Sequence, residues 1–229
     1  MVIKKKLLWL LNAGITETIA ENPRASLKKS KDTNDNVPAT HQANSIALQA
    51  NTLKELNDLK AKFTQCPLHK TAMHTLFGYG TEKPKLMCII CAPNTESDKT
   101  GTSFSGESGA LLTRMLKAIN LTQNTDTYCT YLSPWRAPGN RKLTDAEIAM
   151  LKPFLDKEIE LIQPKAILLF GAELSKIILH IDALSKARHA WHTYQNIPTR
   201  VSLSLDTIKT TTQRQQAWED LQEIQKQFD

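Results

Sequence analysis

The chain has 229 residues, of which 41% are hydrophobic and 23% are charged. These proportions are typical of a folded globular protein and exclude a collagen, a coiled coil and a wholly disordered chain. Its 29 lysines and arginines outnumber its 23 acidic residues, and the net charge of +6 permits a nucleic-acid partner without requiring one.

The first 45 residues predict a helix followed by a linker. The helix is predicted at residues 1–21, because five apolar residues would fall near one of its faces: Leu7, Leu8, Leu11, Ile15 and Ile19. A signal peptide is the alternative, but the apolar stretch is short and no cleavage site of small residues follows it. Residues 22–45 predict a flexible polar linker, since they cannot bury enough apolar surface to offset the cost of ordering.

Residues 46–229 predict one α/β domain, in which short apolar runs alternate with longer helical stretches after a first helix at Ile46–Lys62. The strands are predicted at Leu86–Ile90, Thr127–Leu132, Ala166–Phe170 and Pro198–Leu205. The helices that follow them are predicted at Ser108–Ile119, Thr144–Ile162, Ala172–His180 and Gln213–Phe228. This alternation predicts a mostly parallel four-stranded sheet with helices on both faces.

Two loops at the carboxyl ends of the predicted strands carry the candidate chemistry, because ligands of parallel sheets bind at that edge. The stretch after the first strand contains glycines, hydroxyl side chains and Phe104. Glycines and hydroxyls allow the backbone to approach a bound anion closely, although the Walker sequence of phosphate-binding loops is missing. The loop after the second strand places Trp135 among three cations, which suits phosphate or base contacts. The alternative for each loop is a plain surface connection.

The cysteines Cys66, Cys88, Cys91 and Cys129 predict reduced thiols and a cytoplasmic location, because a chain of this size needs no disulfides. Cys88 and Cys91 form a C-x-x-C pair, which raises the alternative of a metal or redox site. Residues three apart on a strand point to opposite faces, so we favour a structural role and predict no metal. No apolar run reaches the roughly 18 residues of a membrane span, and we expect no membrane partner.

Several segments from Cys66 onward together resemble the iron–sulphur class of uracil-DNA glycosylases, known as family four. The most specific is WRAPGNRKLTDAEI, which is similar to that family's W-R-P-P-G-N-R-x-P-T-x-x-E-I. CPLHKTAMHTLFGYG and TGTSFSGESGALLTRML resemble the entry segment and the glycine-rich segment of the family. The resemblance continues through the strand at Ala166–Phe170 to QAWEDLQ in the last predicted helix.

The resemblance implies a three-layer α/β/α fold and excision of uracil, or a related base, from DNA. The base is flipped into a pocket, stacked on an aromatic ring and read by hydrogen bonds before its N-glycosidic bond is hydrolysed. By resemblance Phe104 is the stacking ring, and the base pocket comprises Cys91, Ala92, Pro93, Asn94, Phe104 and Tyr131. The stretch that positions DNA contains Arg136, Asn140, Arg141 and Lys142.

Three positions depart from the family pattern. Cys91 stands where the family has an acidic residue near the reacting sugar, and a thiol with an ordinary pKa of about 8.5 cannot replace it. The acids that remain nearby, Glu96 and Asp98, are then the candidate catalytic residues. Tyr131 replaces an amide that reads uracil, and the histidine that donates to the leaving base is missing near Leu203–Ser204. Loss of a proton donor alone costs about 10²–10⁴-fold in rate.

The cysteines of the family's iron–sulphur cluster are also replaced. Cys66 fits the second ligand position, Phe63 and Leu151 occupy the first and third, and no cysteine follows Leu151 to serve as the fourth. One thiolate cannot hold a four-iron cluster, so we predict no iron–sulphur centre and no other cofactor.

Two functions remain open for the chain. The first is a monomeric DNA glycosylase that acts on uracil or a related base by altered or weakened chemistry. The second is a catalytically inactive relative that keeps the fold and binds DNA, or binds a partner protein through its amino-terminal helix. Because three active-site side chains differ from the family pattern, the residues favour weak or absent excision.

Overall fold

A computed structural model of the chain describes residues 37–228. The predicted helix at residues 1–21 and residues 22–36 of the predicted linker lie outside the described residues. Between residues 37 and 228, no helix is both long and apolar enough to cross a membrane. The α-helices of this range are α1 Val37–Ala47, α2 Leu53–Lys62, α3 Thr95–Thr100, α4 Gly106–Ala118, α5 Asp145–Ile162, α6 Ala172–Leu179, α7 Leu184–Arg188 and α8 Thr211–Lys226.

The strands form one sheet and are β1 Tyr79–Gly80, β2 Leu86–Ile90, β3 Thr127–Tyr131, β4 Ala166–Phe170, β5 His192–Tyr194 and β6 Ile197–Ser202. Their order across the sheet is β1-β3-β2-β4-β6-β5. The four central strands are parallel, while β1 and β5 pair antiparallel at the two edges. The two innermost strands, β2 and β4, are apolar throughout and buried on both faces, as expected for parallel strands that are covered by helices.

Each face of the sheet has its own hydrophobic core, because alternate residues of a strand point to opposite sides. Met87 and Ile89 of β2 belong to the core shared with α1, α2, α5 and α6. Leu86 and Cys88 of the same strand belong to the core shared with α4 and α8. The fold is therefore three-layered α/β/α, as the resemblance implies.

The sheet has six strands where the sequence predicts four. β1 and β5 are two and three residues long, and runs this short show no alternation of apolar and polar residues that would identify them. Two of the central strands, β2 and β4, have the predicted bounds. The last central strand, β6, ends at Ser202 rather than at Leu205, where a 3₁₀ turn begins.

Helix α1 overlaps the predicted linker. Residues 37–45 are predicted to be flexible, yet they are helical, and Ala43 is completely buried against α5 and its neighbours. Small alanines rather than large apolar side chains make this contact, so the polar composition conceals it. The predicted helix Ile46–Lys62 is interrupted, because Thr52 begins a new helix by accepting a hydrogen bond from the Glu55 amide.

The strand order creates a topological switch point between β2 and β4. From β2 the chain moves outward to β3 and then returns to β4 on the other side of β2. The two loops that leave the sheet at such a point diverge and open a crevice at its carboxyl edge. Cys91 and Gly171, the residues that follow β2 and β4, therefore border the expected binding site.

Candidate active site

A cleft of about 560 Å³ opens at this switch point. The loops after β2, β3, β4 and β6 all contribute to its wall. The predicted site residues that line it are Cys91, Ala92, Pro93, Asn94, Glu96, Asn140, Arg141 and Lys142. Phe104 and Tyr131 line a small adjoining recess of about 30 Å³, and Asp98 and Arg136 line neither space.

The loop after β2 is held in shape by its own polar side chains. Asn94 Oδ1 accepts from the Ser97 amide at 2.8 Å and thereby caps α3. Asn94 Nδ2 donates to the Ser105 carbonyl at 3.2 Å, and Ser97 Oγ accepts from the Ser105 amide at 3.0 Å. The predicted pocket residue Asn94 therefore fixes the cleft wall as well as lining it.

Asp98 faces the interior of the protein rather than the cleft. Its side chain is 1% exposed, and Oδ2 accepts from Arg136 Nε at 2.9 Å. Oδ1 accepts from the amides of Met73 and His74. Burial by itself raises the pKa of Asp98, but the hydrogen bonds from Arg136, His74 and Met73 outweigh it and hold the pKa below its usual range. Both carboxylate oxygens of Asp98 thus accept hydrogen bonds from the protein itself, and its catalytic role stays a prediction.

Two cations of the loop after β3 are paired within the protein. Arg136 is bound to Asp98, and Arg141 donates two parallel hydrogen bonds to Glu147, at 2.7 and 2.9 Å. Glu147 also accepts from the Thr144 amide in the capping box that begins α5. Both arginines therefore anchor the loop, and their charge is partly neutralised before any ligand binds.

The other residues of this loop differ in exposure. Trp135 is 1% exposed and its indole N–H donates to Thr75 Oγ1 at 2.9 Å, so its ring cannot stack on a base. Asn140 is exposed, and its Nδ2 donates to Thr95 Oγ1 at 3.2 Å, which joins this loop to α3. Lys142 is exposed on the cleft wall and forms no ion pair with a described residue, so its charge is available to a phosphate.

Phe104 and Tyr131 stack on each other. Their ring centroids are 4.3 Å apart and their planes are 12° from parallel. The Tyr131 hydroxyl accepts from the Phe104 amide at 2.7 Å, and Tyr79 meets Phe104 edge-on at 5.5 Å. Burial raises the pKa of Tyr131 to about 12, so its phenol stays protonated at neutral pH. One face of the ring that the resemblance assigns to uracil is therefore covered by the protein itself.

The backbone at Phe104 is tightly constrained. Phe104 has a φ of 57°, in the left-handed region that aromatic residues rarely adopt. Gly109 of α4 approaches so closely that a Cβ there would lie 1.5 Å from the Phe104 carbonyl oxygen, so only glycine fits. Strain of this kind persists where the surrounding contacts over-determine a residue, and it is concentrated at functional sites.

The cleft contains two acids that the sequence analysis does not predict, Glu173 and Asp206. Glu173, in the first turn of α6, accepts from the Leu143 amide at 3.2 Å. Asp206 accepts from Ser108 Oγ at 2.5 Å. Both acids follow the carboxyl end of a parallel strand by a few residues, and this position is the signal that could have identified them.

Cys91 lies in the cleft as a protonated thiol. Burial raises the pKa of Cys91 well above its usual range, and the neighbouring Glu173 carboxylate, which the thiol hydrogen-bonds, raises it further. Its partner in the C-x-x-C pair, Cys88, is completely buried in β2, and no cluster of three or more potential metal ligands occurs within residues 37–228. Ser204 lines the same cleft near the position where a histidine is expected.

Comparison with known proteins identifies the family. The sequence model of the uracil DNA glycosylase superfamily matches residues 77–222. The chain belongs to this superfamily. It is 33% identical over 117 residues to a type-4 uracil-DNA glycosylase of Archaeoglobus fulgidus, a match that covers 51% of this chain and 58% of that protein.

Two further type-4 uracil-DNA glycosylases are similar to this superfamily member. The protein of Sulfurisphaera tokodaii is 31% identical over 127 residues, which cover 56% of this chain and 58% of the relative. The protein of Thermotoga maritima is 35% identical over 111 residues, which cover 48% of this chain and 57% of the relative. The chain thus spans less than two thirds of the length of these curated relatives.

The iron–sulphur centre that the family-four resemblance implies does not fit the residues of this glycosylase-superfamily chain. At the predicted ligand positions, Phe63 and Leu151 are each 1% exposed and belong to the hydrophobic core. The Phe63 ring packs against Phe154 with centroids 5.2 Å apart. Cys66 is completely buried, and burial raises its pKa to about 11, whereas a ligand must be a thiolate. Apolar packing therefore occupies two of the three positions at which a cluster would need further sulphur ligands.

Proposed function

We propose that this member of the uracil DNA glycosylase superfamily binds DNA across the cleft. We further propose that it excises uracil at least about 100-fold more slowly than a glycosylase that keeps the catalytic carboxylate and histidine. The observation that carries the second part is the stack of Tyr131 on Phe104. Binding of DNA is supported by the relatives named uracil-DNA glycosylases, and by Asn140 and Lys142 on the cleft wall.

The stack leaves no space for a pyrimidine between the two rings. Rings whose centroids are 4.3 Å apart are in van der Waals contact, so a flipped base could enter between them only if they separated. The recess beside them measures about 30 Å³. A cavity of roughly 150 Å³ is known to hold benzene, so this recess is far too small for a base.

The chemistry of the cleft is weakened at the two positions that would meet the charges of the reaction. Uracil departs with negative charge while the sugar becomes positive, so a site needs a donor for one and a carboxylate for the other. The thiol of Cys91 is protonated at neutral pH, and Ser204 is a neutral hydroxyl. Loss of one such acid or base costs about 10²–10⁴-fold, which sets the rate limit proposed above.

Residual hydrolysis through a different acid is a second candidate function. It is favoured by the three carboxylates that line the cleft, Glu96, Glu173 and Asp206. The Glu96 side chain is exposed and has no hydrogen-bond partner among the described residues, so it is free to orient water or to stabilise a positive sugar. Stacking of the base between Phe104 and Tyr131 would in addition require the two rings to separate.

The test uses the full-length protein with uracil-containing single- and double-stranded oligonucleotides. Binding is measured by fluorescence anisotropy across a salt series, and excision by alkaline cleavage of the products. We expect binding that weakens with salt, and no strand scission above a Phe104→Ala control. Rapid scission by the wild type, absent from the Phe104→Ala control, would overturn the proposed rate limit. Slow scission that the substitution Glu96→Gln abolishes would support the second candidate function. Failure to bind DNA at low salt would overturn the first part of the proposal.

We also propose that the protein is a cytoplasmic monomer and that residues 1–21 bind a partner protein. Free thiols at all four cysteines are consistent with a reducing compartment. Light scattering of the purified chain tests the monomer, and affinity capture with and without residues 1–36 tests the partner.

A further inference from the structure

An apolar groove lies between α4 and α8, away from the cleft. We name it the α4–α8 groove; it measures about 180 Å³ and is lined by Leu111 and Met115 of α4, by Trp218 of α8 and by Ile208, among others. Trp218 is 39% exposed, and it is one of three large apolar side chains exposed among the described residues. The groove shares no lining residue with the cleft, so an occupant would leave the cleft accessible.

The packing of the fold does not account for Trp218. Helix α8 is already anchored to the sheet by Ala217, Leu221 and Ile224, which are all 3% exposed or less. Trp218 lies beside this buried face and borders the groove. An exposed apolar surface next to a concave groove is a mark of a binding site for another molecule.

Two arginines flank the groove. Arg114 and Arg214 both line it and are exposed, and neither forms an ion pair with a described residue. None of the residues that line the groove is acidic. Positive flanks and an apolar floor complement an apolar side chain set among carboxylates. Tryptophan, methionine and arginine are also the residue types enriched where protein interfaces bind most tightly.

The size and lining of the groove favour a peptide over a nucleic acid. A volume of 180 Å³ accommodates a single aromatic or large aliphatic side chain, given that about 150 Å³ holds benzene. Single-stranded nucleic acid binds to a series of aromatic platforms along a positive groove. Here Leu111, Met115 and Ile208 supply aliphatic surface, and Trp218 is the one aromatic ring that lines the groove.

We propose that the α4–α8 groove binds an acidic peptide segment of a partner protein. One aromatic or large aliphatic side chain of the peptide inserts between Met115 and Trp218, and its flanking carboxylates pair with Arg114 and Arg214. This interaction is independent of DNA binding and of any excision chemistry in the cleft.

The probe for this site is a fluorescein-labelled peptide of about ten residues, with one phenylalanine between blocks of aspartate and glutamate. Anisotropy with the full-length protein should give saturable binding, which the same peptide with alanine for phenylalanine, or with lysines for the acids, should lose. Trp218→Ala and the double variant Arg114→Glu/Arg214→Glu should each weaken binding at least about tenfold, a typical effect for a central interface residue. Leu48→Ala, at an apolar residue that is 70% exposed outside the groove, is the matched control and should bind as the wild type does.

Three results would overturn the proposal. The first is that the peptide does not bind at a protein concentration of about 1 mM, and the second is that Trp218→Ala binds it as tightly as the wild type. The third is that an oligothymidylate displaces the peptide, which would assign the groove to single-stranded DNA. Since Trp218, Arg114 and Arg214 are all exposed, the variants should unfold at the wild-type temperature, which thermal melting verifies.

Discussion

Arg136 and Asp98 are bound to each other, with Arg136 Nε 2.9 Å from Asp98 Oδ2. Sequence reasoning assigns one to DNA and the other to catalysis, but in the structure the pair joins the loop after β3 to α3. Together with the hydrogen bond between Asn140 and Thr95, it fixes the distance between two walls of the cleft. The pair therefore contributes to the shape of the site.

Replacing Asp98 should destabilise the fold. We expect Asp98→Asn to lower the free energy of unfolding at pH 7 by about 2 kcal/mol, because it removes a charged acceptor and leaves Arg136 without its partner. Urea unfolding followed by circular dichroism measures this change. A variant as stable as the wild type would contradict the role of the pair.

The contribution of Asp98 should depend on pH. Its pKa is lower in the folded protein than the value of about 3.9 in an unfolded chain, so its stabilisation is present above that value and is lost as the pH falls through the lowered pKa. The stability difference between wild type and Asp98→Asn should thus be constant from pH 7 to about pH 5 and shrink below about pH 4. A difference that persists unchanged at the lowest pH would show that ionisation of Asp98 is not involved.

Tyr131→Phe should keep the stack but lose one hydrogen bond. The Phe104 amide would be left without its acceptor in a buried position, which costs about 1–3 kcal/mol. Chemical denaturation measures this loss. Because the aromatic ring remains in Tyr131→Phe, we expect this variant to gain no uracil binding. If the variant were as stable as the wild type, another acceptor would have to replace the lost hydroxyl.

Tyr131→Asn should open the recess beside Phe104. Removal of the ring exposes a face of Phe104 and introduces an amide that can pair with the edge of uracil. Titration calorimetry with free uracil should detect binding to Tyr131→Asn but not to the wild type or to Tyr131→Phe. Binding of uracil to the wild type would show that the stack opens readily, and a folded Tyr131→Asn protein that binds none would place the obstruction elsewhere.

Phe63 should be an essential part of the core. Phe63→Ala removes a ring that is 1% exposed and packs on Phe154, and such truncations cost about 3–5 kcal/mol. Thermal melting of Phe63→Ala, with the exposed Leu48→Ala as a control that changes by less than about 0.5 kcal/mol, provides the test. Melting should also be unaffected by an iron chelator, and a chelator-induced loss of stability would contradict the apolar packing described here.

Cys91 should react slowly with alkylating agents at neutral pH. Its raised pKa keeps the thiolate scarce, and Glu173→Gln should lower that pKa and accelerate the reaction, because the carboxylate is one cause of the shift. Timed treatment with iodoacetamide and mass spectrometry of the Cys91 peptide measures the rate. The completely buried Cys66, Cys88 and Cys129 serve as internal references. Fast alkylation of Cys91 in the wild type at pH 7 would contradict a protonated thiol.

Long apolar runs made most of the fold predictable. The strands at Leu86–Ile90 and Ala166–Phe170 are uniformly apolar, and the Thr144 capping box marks the beginning of α5 in the sequence itself. Helix α1 is not predicted because its buried residues, Ala43 and Ala47, are small and the polar residues around them form no stripe of large apolar side chains. The edge strands were missed because two or three residues carry no periodicity.

The candidate site was predictable as a set of loops but not as a set of contacts. Parallel topology places the residues after β2 and β3 at one edge, and eight of the predicted site residues do line the cleft. The pairing of Arg136 with Asp98, and the stacking of Tyr131 on Phe104, depend on the direction of each side chain. A single sequence contains no periodic signal for such directions, so the contacts of these four residues are visible only in coordinates.

The short antiparallel strands β1 and β5 have a consequence for how the protein behaves when it is concentrated or heated. An unpaired edge of a strand is a template to which a second chain can add, and in this sheet β1 and β5 cover part of the outer edges of the four parallel strands. The outermost positions hold strands of two and three residues that offer few free amides. The architecture thus reduces the length of strand edge that is open to a second chain.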